Sequence, residues 1–134
     1  MKTNYHHILF LCVANSARSQ MAEGIARSIF PRSVRVSSAG SQPGSLNPFA
    51  VAALKEIDID ISSHFSKGLN EIDCASVDLV ITLCAEEVCP TFVHKVQKIH
   101  CPLPDPAGIE GSDEQKLARF RDVRNQLIQR LREL

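Results

Sequence analysis

The chain has 134 residues, of which 44% are hydrophobic, and its 15 basic residues balance 15 acidic residues. This length and composition predict one globular domain over residues 1–134, and the zero net charge gives no general attraction to nucleic acid or to an anionic membrane. Because the chain also shows no signal peptide and no stretch of membrane-spanning length, we expect a cytoplasmic protein.

The first half of the chain alternates strand and helix patterns. Residues 8–11 form an apolar run typical of a short buried strand, and residues 19–30 carry apolar side chains at helical spacing. Alternation over residues 34–38 predicts a second strand, which ends at Ala39 and Gly40. After a loop, Asn47 and Pro48 predict the N-cap and the first residue of a helix that continues to Ile57.

The second half of the chain repeats this alternation after a short turn expected over residues 70–74. The continuous apolar run within residues 77–83 is typical of a central parallel strand with helices on both faces. Residues 95–100 predict a further strand, and residues 101–111 predict a loop. A last helix is predicted from Ser112, with Gln115 completing a capping box. Its predicted buried stripe consists of Leu117, Phe120, Leu127, Leu131 and Leu134.

This order of elements predicts a doubly wound α/β domain built on a parallel sheet. Ligands of such sheets bind beyond the carboxyl ends of the strands. Cys12 follows the first predicted strand, Cys84 follows the central strand, and Asp105 lies in the loop after the last strand. We therefore expect these three residues at one edge of the sheet, where they would form the functional site.

Residues 12–18, which we call the nucleophile loop, connect the first strand to the first helix. The unpaired N–H groups and the dipole of a starting helix favour an anion, and they also favour a thiolate over a thiol at Cys12. Arg18 supplies a planar guanidinium that can bind two oxygens of a tetrahedral oxyanion. The loop therefore predicts an oxyanion site with a cysteine nucleophile, and the alternative is that Cys12 is a small buried apolar residue.

The chain contains five cysteines, and their odd number and scattered positions do not fit the disulfide framework of a secreted protein. In a reducing compartment such thiols serve catalysis, redox exchange, metal binding or packing. The positions are Cys12, Cys74, Cys84, Cys89 and Cys101.

Residues 11–24 resemble the active-site motif of the low-molecular-weight protein tyrosine phosphatase superfamily, and residues 37–40 and 103–106 resemble its later landmarks. The similarity covers nearly the whole chain. Gln20, together with a cysteine pair after the central strand, is more similar to the thioredoxin-coupled arsenate reductases built on this fold. The resemblance implies a three-layer sandwich with a four-stranded parallel sheet and flanking helices.

The resemblance also implies roles for particular residues. Ser19 would donate a hydrogen bond to the thiolate, with helix capping as an alternative or additional role. Asp105 would act as general acid, the alternative being an exposed loop aspartate. Ala14 and Ala17 stand where relatives often carry glycine and cysteine, so the loop holds no partner thiol. The residues expected to bind the oxyanion are Val13, Ala14, Asn15, Ser16, Ala17 and Arg18.

Under the same resemblance, arsenate reduction needs three thiols, which Cys12, Cys84 and Cys89 would supply in that order. The gap between the last two is shorter than in better-known relatives, which leaves the electron donor open between thioredoxin and a glutaredoxin-type protein. One alternative is that Cys84 and Cys89 are buried structural residues. Another is a zinc site with His94 or Cys101, although the spacing matches no common zinc pattern. Cys74 and Cys101 are interpreted as packing residues.

The residues after Asp105 bear on the substrate. Pro106, Ala107 and Gly108 provide no aromatic platform, Tyr5 is the only tyrosine, and tryptophan is absent. We therefore expect a small ringless oxyanion, namely arsenate, with phosphate or sulfate as competitors.

Asn15, Glu23 and Ser38 match positions that, in some relatives, lie near a potassium ion. Where those relatives add an aspartate after a serine, this chain has Ser66 and Lys67. The Lys67 ammonium would replace the charge of the cation, so neither a metal site nor a cofactor is predicted. The histidines at positions 64, 94 and 100 are expected at the surface or in the core.

These observations predict an arsenate reductase that serves arsenic detoxification and acts as a monomer. Cys12 would attack arsenate, Cys84 would attack Cys12, and a redox-active Cys84–Cys89 disulfide would be reduced by thioredoxin or a glutaredoxin-type protein. One alternative is a phosphate monoester hydrolase that uses Cys12 and Asp105. A second alternative is a non-catalytic module that binds oxyanions or senses thiol oxidation.

Overall fold

A sheet of four parallel strands forms the centre of the computed structural model, which describes residues 5–12, 15, 17–83, 96–107 and 110–134. The strands and helices in chain order are β1 (His7–Cys12), α1 (Arg18–Ile29), β2 (Arg35–Gly40), α2 (Pro48–Lys55), β3 (Leu79–Thr82), β4 (Gln97–His100) and α3 (Asp113–Arg132). Two short 3₁₀ turns, Leu69–Glu71 and Cys74–Ser76, precede β3. Among the described helices, none combines the length and apolar character needed to cross a membrane.

The strand order is β2-β1-β3-β4, and every pair is parallel. This confirms the predicted α/β class and the four-stranded parallel sheet. Cys12 pairs with Gly40 at the end of β2, and Leu11 pairs with Thr82 at the end of β3. Cys12 therefore lies at the carboxyl edge of the sheet, where ligand sites of this architecture form.

Both faces of the sheet are covered, which gives the predicted three layers. On one face, Ile8 and Phe10 of β1 belong to the core formed with α1, α2 and α3. On the other face, Leu9 and Leu11 pack with Val80, and Leu69 and Ile72 from the segment of the 3₁₀ turns cover them. Since side chains alternate between the faces of a strand, the continuous apolar run of β1 reflects burial on both sides.

The predicted helix starts are confirmed by their capping bonds. Asn47 Oδ1 accepts from the Phe49 N–H at 2.8 Å, with Pro48 as the first residue of α2. At α3, Ser112 Oγ accepts from the Gln115 N–H at 3.2 Å, and Gln115 Oε1 accepts from the Ser112 N–H at 2.9 Å.

Helix ends and buried stripes were predicted less well than helix starts. The structure ends α2 at Lys55 rather than Ile57, because the chain turns through Asp58 in the left-handed region at φ 64°. In α3 the predicted Phe120, Leu127 and Leu131 are buried, whereas Leu117 is only partly buried. Leu134 is also partly buried, but it lies beyond the end of α3. Val123, which the predicted stripe omitted, completes the buried face of α3.

His7, at the start of β1, is expected to make stability depend on pH. The residue is 1% exposed, its ring Nδ1 lies 2.7 Å from Ser76 Oγ, and its Nε2 lies 2.8 Å from Ser37 Oγ. Burial, followed by the nearby Arg35 charge, lowers the pKa of His7. The folded protein therefore binds fewer protons here than the unfolded chain, whose histidine pKa is about 6.5. The contribution of neutral His7 to stability is therefore fully present above the pKa of the unfolded chain. That contribution is lost as the pH falls through the lowered pKa of the folded protein.

Urea unfolding at several pH values across this range measures the effect. We expect the free energy of unfolding to rise with pH, and to rise less steeply in His7→Gln, where the titrating ring is absent. His6→Gln is the matched control, since His6 is exposed. If the free energy of unfolding rose equally steeply with pH in wild type and His7→Gln, His7 would not be a source of the pH dependence. A residual slope is expected from His64, because burial lowers its pKa as well.

Candidate active site

Cys12 is the last residue of β1, and α1 begins six residues later at Arg18. The thiol is nearly buried, with 3% of the residue exposed, and its Sγ lies 2.9 Å from Ser19 Oγ. Ala17 precedes α1 and has no side chain able to cap it, so the first N–H groups of the helix remain available to an anion. This position therefore suits both a thiolate and a bound oxyanion.

Asn15 is the anchored residue of the nucleophile loop. It is fully buried, and its backbone takes the left-handed conformation at φ 50°, which asparagine tolerates better than most residues. Its backbone oxygen accepts from Ser66 Oγ at 2.7 Å, and its Oδ1 accepts from the Lys67 N–H at 3.0 Å. The turn around residues 66 and 67 thus holds the loop in place. The predicted oxyanion-binding residues Val13, Ala14 and Ser16 lie outside the described residues.

Ser19 connects the loop to the thiol. Asn15 Nδ2 donates to Ser19 Oγ at 2.6 Å, which leaves the serine hydroxyl proton for another acceptor. Cys12 Sγ is within reach of that proton, and a thiolate can only accept. Ser19 Oγ thus lies within hydrogen-bonding distance of Cys12 Sγ, the atom to which the resemblance implied that it would donate. Among the described residues, no side-chain hydrogen bond caps the start of α1.

Arg18 and Asp105 meet at the rim of the site. Arg18 Nη1 donates to the Leu103 backbone oxygen at 3.0 Å, and Nη2 lies 3.7 Å from Asp105 Oδ2. The arginine side chain is 12% exposed, whereas the aspartate is 57% exposed. Asp105 Oδ1 also accepts from the Ala107 N–H at 3.0 Å. The Asp105 carboxyl group thus lies beside the guanidinium at the exposed rim of the site.

A buried carboxylate lies behind the loop. Glu23 of α1 is 3% exposed, accepts from Ser38 Oγ at 2.6 Å and pairs with Arg27 at 2.9 Å. Lys67 Nζ lies 3.6 Å from the same carboxylate and 5.2 Å from the centre of the Phe65 ring. The Lys67 ammonium thus lies beside Glu23, one of the residues that the resemblance associated with a cation.

Three residues beside the loop were not assigned a role from the sequence. Gln20 is fully buried and donates to the Phe65 backbone oxygen at 2.8 Å, and its Oε1 lies 3.0 Å from His64 Nδ1. Burial lowers the pKa of His64, more than the charge of Glu23 raises it. Phe65 is the exposed large apolar residue among those described, at 61%. The match of Gln20 to a family motif was the only signal in the sequence. The contacts of Gln20 with His64 and Phe65 could not be predicted, because they span about 45 positions of the chain.

Of the three thiols predicted for the relay, the structure describes only Cys12. Cys84 and Cys89 lie outside the described residues, as does His94 of the zinc alternative. The Leu83 N–H, however, donates to the Leu11 oxygen at 2.9 Å, so the chain leaves β3 beside the end of β1. Cys74 lies in a turn before β3, at the opposite edge of the sheet, and burial raises its pKa.

Cys101 is buried directly after β4. In the part of the chain that the structure describes, no three histidine, cysteine or acidic side chains form a group suited to a metal ion. The burial of Cys101 agrees with its interpretation as a packing residue.

Comparison with known proteins finds arsenate reductases among the relatives of this chain. It is 43% identical over 127 residues to an arsenate reductase of Halalkalibacterium halodurans, covering 93% of this chain and 91% of that protein. A solved arsenate reductase in a phosphate binding state superposes with a TM-score of 0.77 at 32% identity, covering 95% and 94% of the two chains.

A thioredoxin-dependent arsenate reductase of Corynebacterium glutamicum superposes with a TM-score of 0.75 at 30% identity, covering 99% of this chain and 61% of that chain. The family model described as low molecular weight phosphotyrosine protein phosphatase matches residues 7–134. The chain therefore belongs to the low molecular weight phosphotyrosine protein phosphatase family.

Proposed function

We propose that this protein is an arsenate reductase. One observation carries the proposal, namely that Cys12 Sγ lies at the carboxyl end of β1, beside the start of α1 and 2.9 Å from a serine donor. Arg18 at the rim supplies the cation that a tetrahedral oxyanion requires. The relatives named arsenate reductase support arsenate rather than a phosphate ester as the substrate.

The reaction starts at the sulfur of Cys12. The thiolate attacks the arsenic of arsenate, and one arsenate oxygen leaves as water with a proton supplied by Asp105. Cys84 then attacks the sulfur of Cys12. The electron pair of the sulfur–arsenic bond passes to arsenic, which leaves as arsenite, and a Cys12–Cys84 disulfide remains.

The remaining steps restore the enzyme. Cys89 attacks Cys84, which frees the Cys12 thiolate and forms a Cys84–Cys89 disulfide. A dithiol protein of the thioredoxin or glutaredoxin type reduces that disulfide and supplies the two electrons that arsenic has taken. The name of the thioredoxin-dependent relative supports thioredoxin as this donor.

A phosphate monoester hydrolase is the second candidate function. Cys12, Arg18 and Asp105 are sufficient for it, because water can hydrolyse a phosphocysteine without a second thiol. The description of the family supports this candidate.

The test compares the two activities in the same preparation. Arsenate-dependent oxidation of NADPH is measured with thioredoxin and thioredoxin reductase, and hydrolysis of an aryl phosphate is measured in parallel. Rapid oxidation that requires both arsenate and the protein is the expected result. Hydrolysis without arsenate-dependent oxidation, with either thioredoxin or glutaredoxin as donor, would favour the phosphatase. Absence of both activities would favour a non-catalytic module.

We propose further that Lys67 makes the enzyme independent of potassium. Its ammonium, 3.6 Å from Glu23 and beside the Phe65 ring, supplies the positive charge that a bound cation would bring to this buried carboxylate. Arsenate reduction is expected to proceed at equal rates in potassium chloride and sodium chloride of the same ionic strength. Choline chloride is the control for a general salt effect. A rate that rises strongly with potassium alone would contradict the proposal.

A further inference from the structure

A chain of hydrogen bonds leads from His64 to the sulfur of Cys12, and we call it the Cys12 hydrogen-bond chain. His64 Nδ1 lies 3.0 Å from Gln20 Oε1, and Gln20 Nε2 lies 3.0 Å from Asn15 Oδ1. Asn15 Nδ2 lies 2.6 Å from Ser19 Oγ, which lies 2.9 Å from Cys12 Sγ. Gln20, Asn15 and Ser19 are fully buried, so water does not compete for these bonds.

The surroundings of Gln20 determine which way its amide points. Its Nε2 faces three oxygens, namely Phe65 O at 2.8 Å, Asn15 Oδ1 at 3.0 Å and Asn15 O at 3.2 Å. An amide oxygen in that place would face three acceptors, so this atom is the nitrogen. Gln20 Oε1 therefore accepts from His64, whose proton must be on Nδ1.

The charges around His64 leave this arrangement intact. Glu23 and Arg27 of α1 face the ring, together with Asp60 and Lys67 of the segment after α2, and Glu23 Oε2 lies 3.7 Å from Nδ1. Burial outweighs the acidic neighbours and lowers the pKa of His64. The ring is thus a neutral donor to Gln20 near neutral pH.

Two donors set the orientation of the Asn15 amide. Asn15 Oδ1 accepts from Gln20 Nε2 and from the Lys67 N–H, which leaves Nδ2 to donate to Ser19. If the Asn15 amide were reversed, its oxygen would face Ser19 Oγ and would take the hydroxyl proton. Ser19 would then have no proton to offer the thiolate. The direction of the hydrogen bond between Ser19 Oγ and Cys12 Sγ therefore depends on Asn15, although Asn15 is not a link to the sulfur itself.

We propose that Gln20 is a positioning residue, which holds the Asn15 amide so that the Ser19 hydroxyl proton is directed to Cys12 Sγ. His64 supports this role by donating to Gln20 Oε1. The inference rests on the proposed function only in taking Cys12 as the nucleophile. It explains why the Ser19 hydroxyl donates its proton to the Cys12 thiolate rather than to the Asn15 side chain.

The test substitutes Gln20→Met, which keeps the length of the side chain but removes the amide nitrogen and the amide oxygen. Gln129→Met, on the exposed face of α3, is the matched control. The rate of iodoacetamide alkylation of Cys12 is followed against pH by mass spectrometry of its peptide. We expect the pH midpoint to rise by roughly one unit in Gln20→Met, as loss of a hydrogen bond to a charged group implies, and to stay unchanged in the control.

A second pair of variants separates positioning from mere packing. The amide nitrogen of His64→Asn can replace Nδ1 as a donor to Gln20, whereas His64→Leu removes the donor. We expect a raised midpoint in His64→Leu, smaller than in Gln20→Met, and its return toward wild type in His64→Asn. Circular dichroism establishes which variants are folded, and the His64 pair decides alone if Gln20→Met does not fold.

The possible failures are distinguishable. An unchanged midpoint in folded Gln20→Met, or equal midpoints in the two His64 variants when Gln20→Met does not fold, would overturn the role of Gln20 while leaving Cys12 as the nucleophile. A wild-type midpoint at the ordinary thiol value of about 8.5 would overturn both this role and the proposed nucleophile.

Discussion

Replacing Cys12 by serine is expected to lower arsenate reduction and phosphate-ester hydrolysis together by at least about a thousandfold, because both reactions begin with the same nucleophile. A serine hydroxyl remains protonated near neutral pH, so the start of α1 and the Ser19 donor have no anion to stabilise. The effect is measured as kcat/KM for each activity under saturating thioredoxin. Serine is close to cysteine in size, and we expect the variant to remain folded.

Cys101→Ser is the control for this prediction. Cys101 is also a buried cysteine that follows a strand, with 8% exposure, but it belongs to the packed core. We expect Cys101→Ser to retain both activities, with any cost appearing in the melting temperature. Substantial arsenate reduction by Cys12→Ser would remove Cys12 from the mechanism.

The second large effect is expected from Cys84→Ser, which should separate the two chemistries. Reduction needs a thiol to attack the sulfur of Cys12, whereas hydrolysis needs only water. We therefore expect arsenate-dependent NADPH oxidation to fall to the level of the assay without enzyme. Aryl phosphate hydrolysis, if the wild type shows it, should be retained. Both rates are measured on the same samples, so loss of folded protein would appear in both.

Cys74→Ser is the matched control, because Cys74 lies in the turn before β3, at the opposite edge of the sheet. It should leave both rates unchanged. Multiple-turnover reduction that survives in Cys84→Ser would show that another thiol or an external reductant attacks Cys12, and the three-thiol relay would then be wrong.

The features of the fold that could be predicted are those set by local chemistry. A run buried on both faces predicted β1, and Asn47 and Ser112 predicted the starts of α2 and α3, since caps bond within three residues. The end of α2 was predicted two residues too late. The left-handed turn at Asp58 ends the helix, and an aspartate indicates such a turn less clearly than a glycine does. Helix stops depend on where the chain must go next, which a local pattern does not contain.

In the site, the residues of one short segment were predictable, because Cys12, Arg18 and Ser19 lie within eight positions, where a strand leads into a helix. Their proximity follows from chain connectivity, whatever the rest of the fold does. The contacts of Gln20 with His64 and of Lys67 with Glu23 were not predictable, because each joins residues some 44 positions apart that meet only in the folded protein. Such contacts arise because buried polar groups must find partners wherever packing brings them, and no spacing in the sequence encodes that choice.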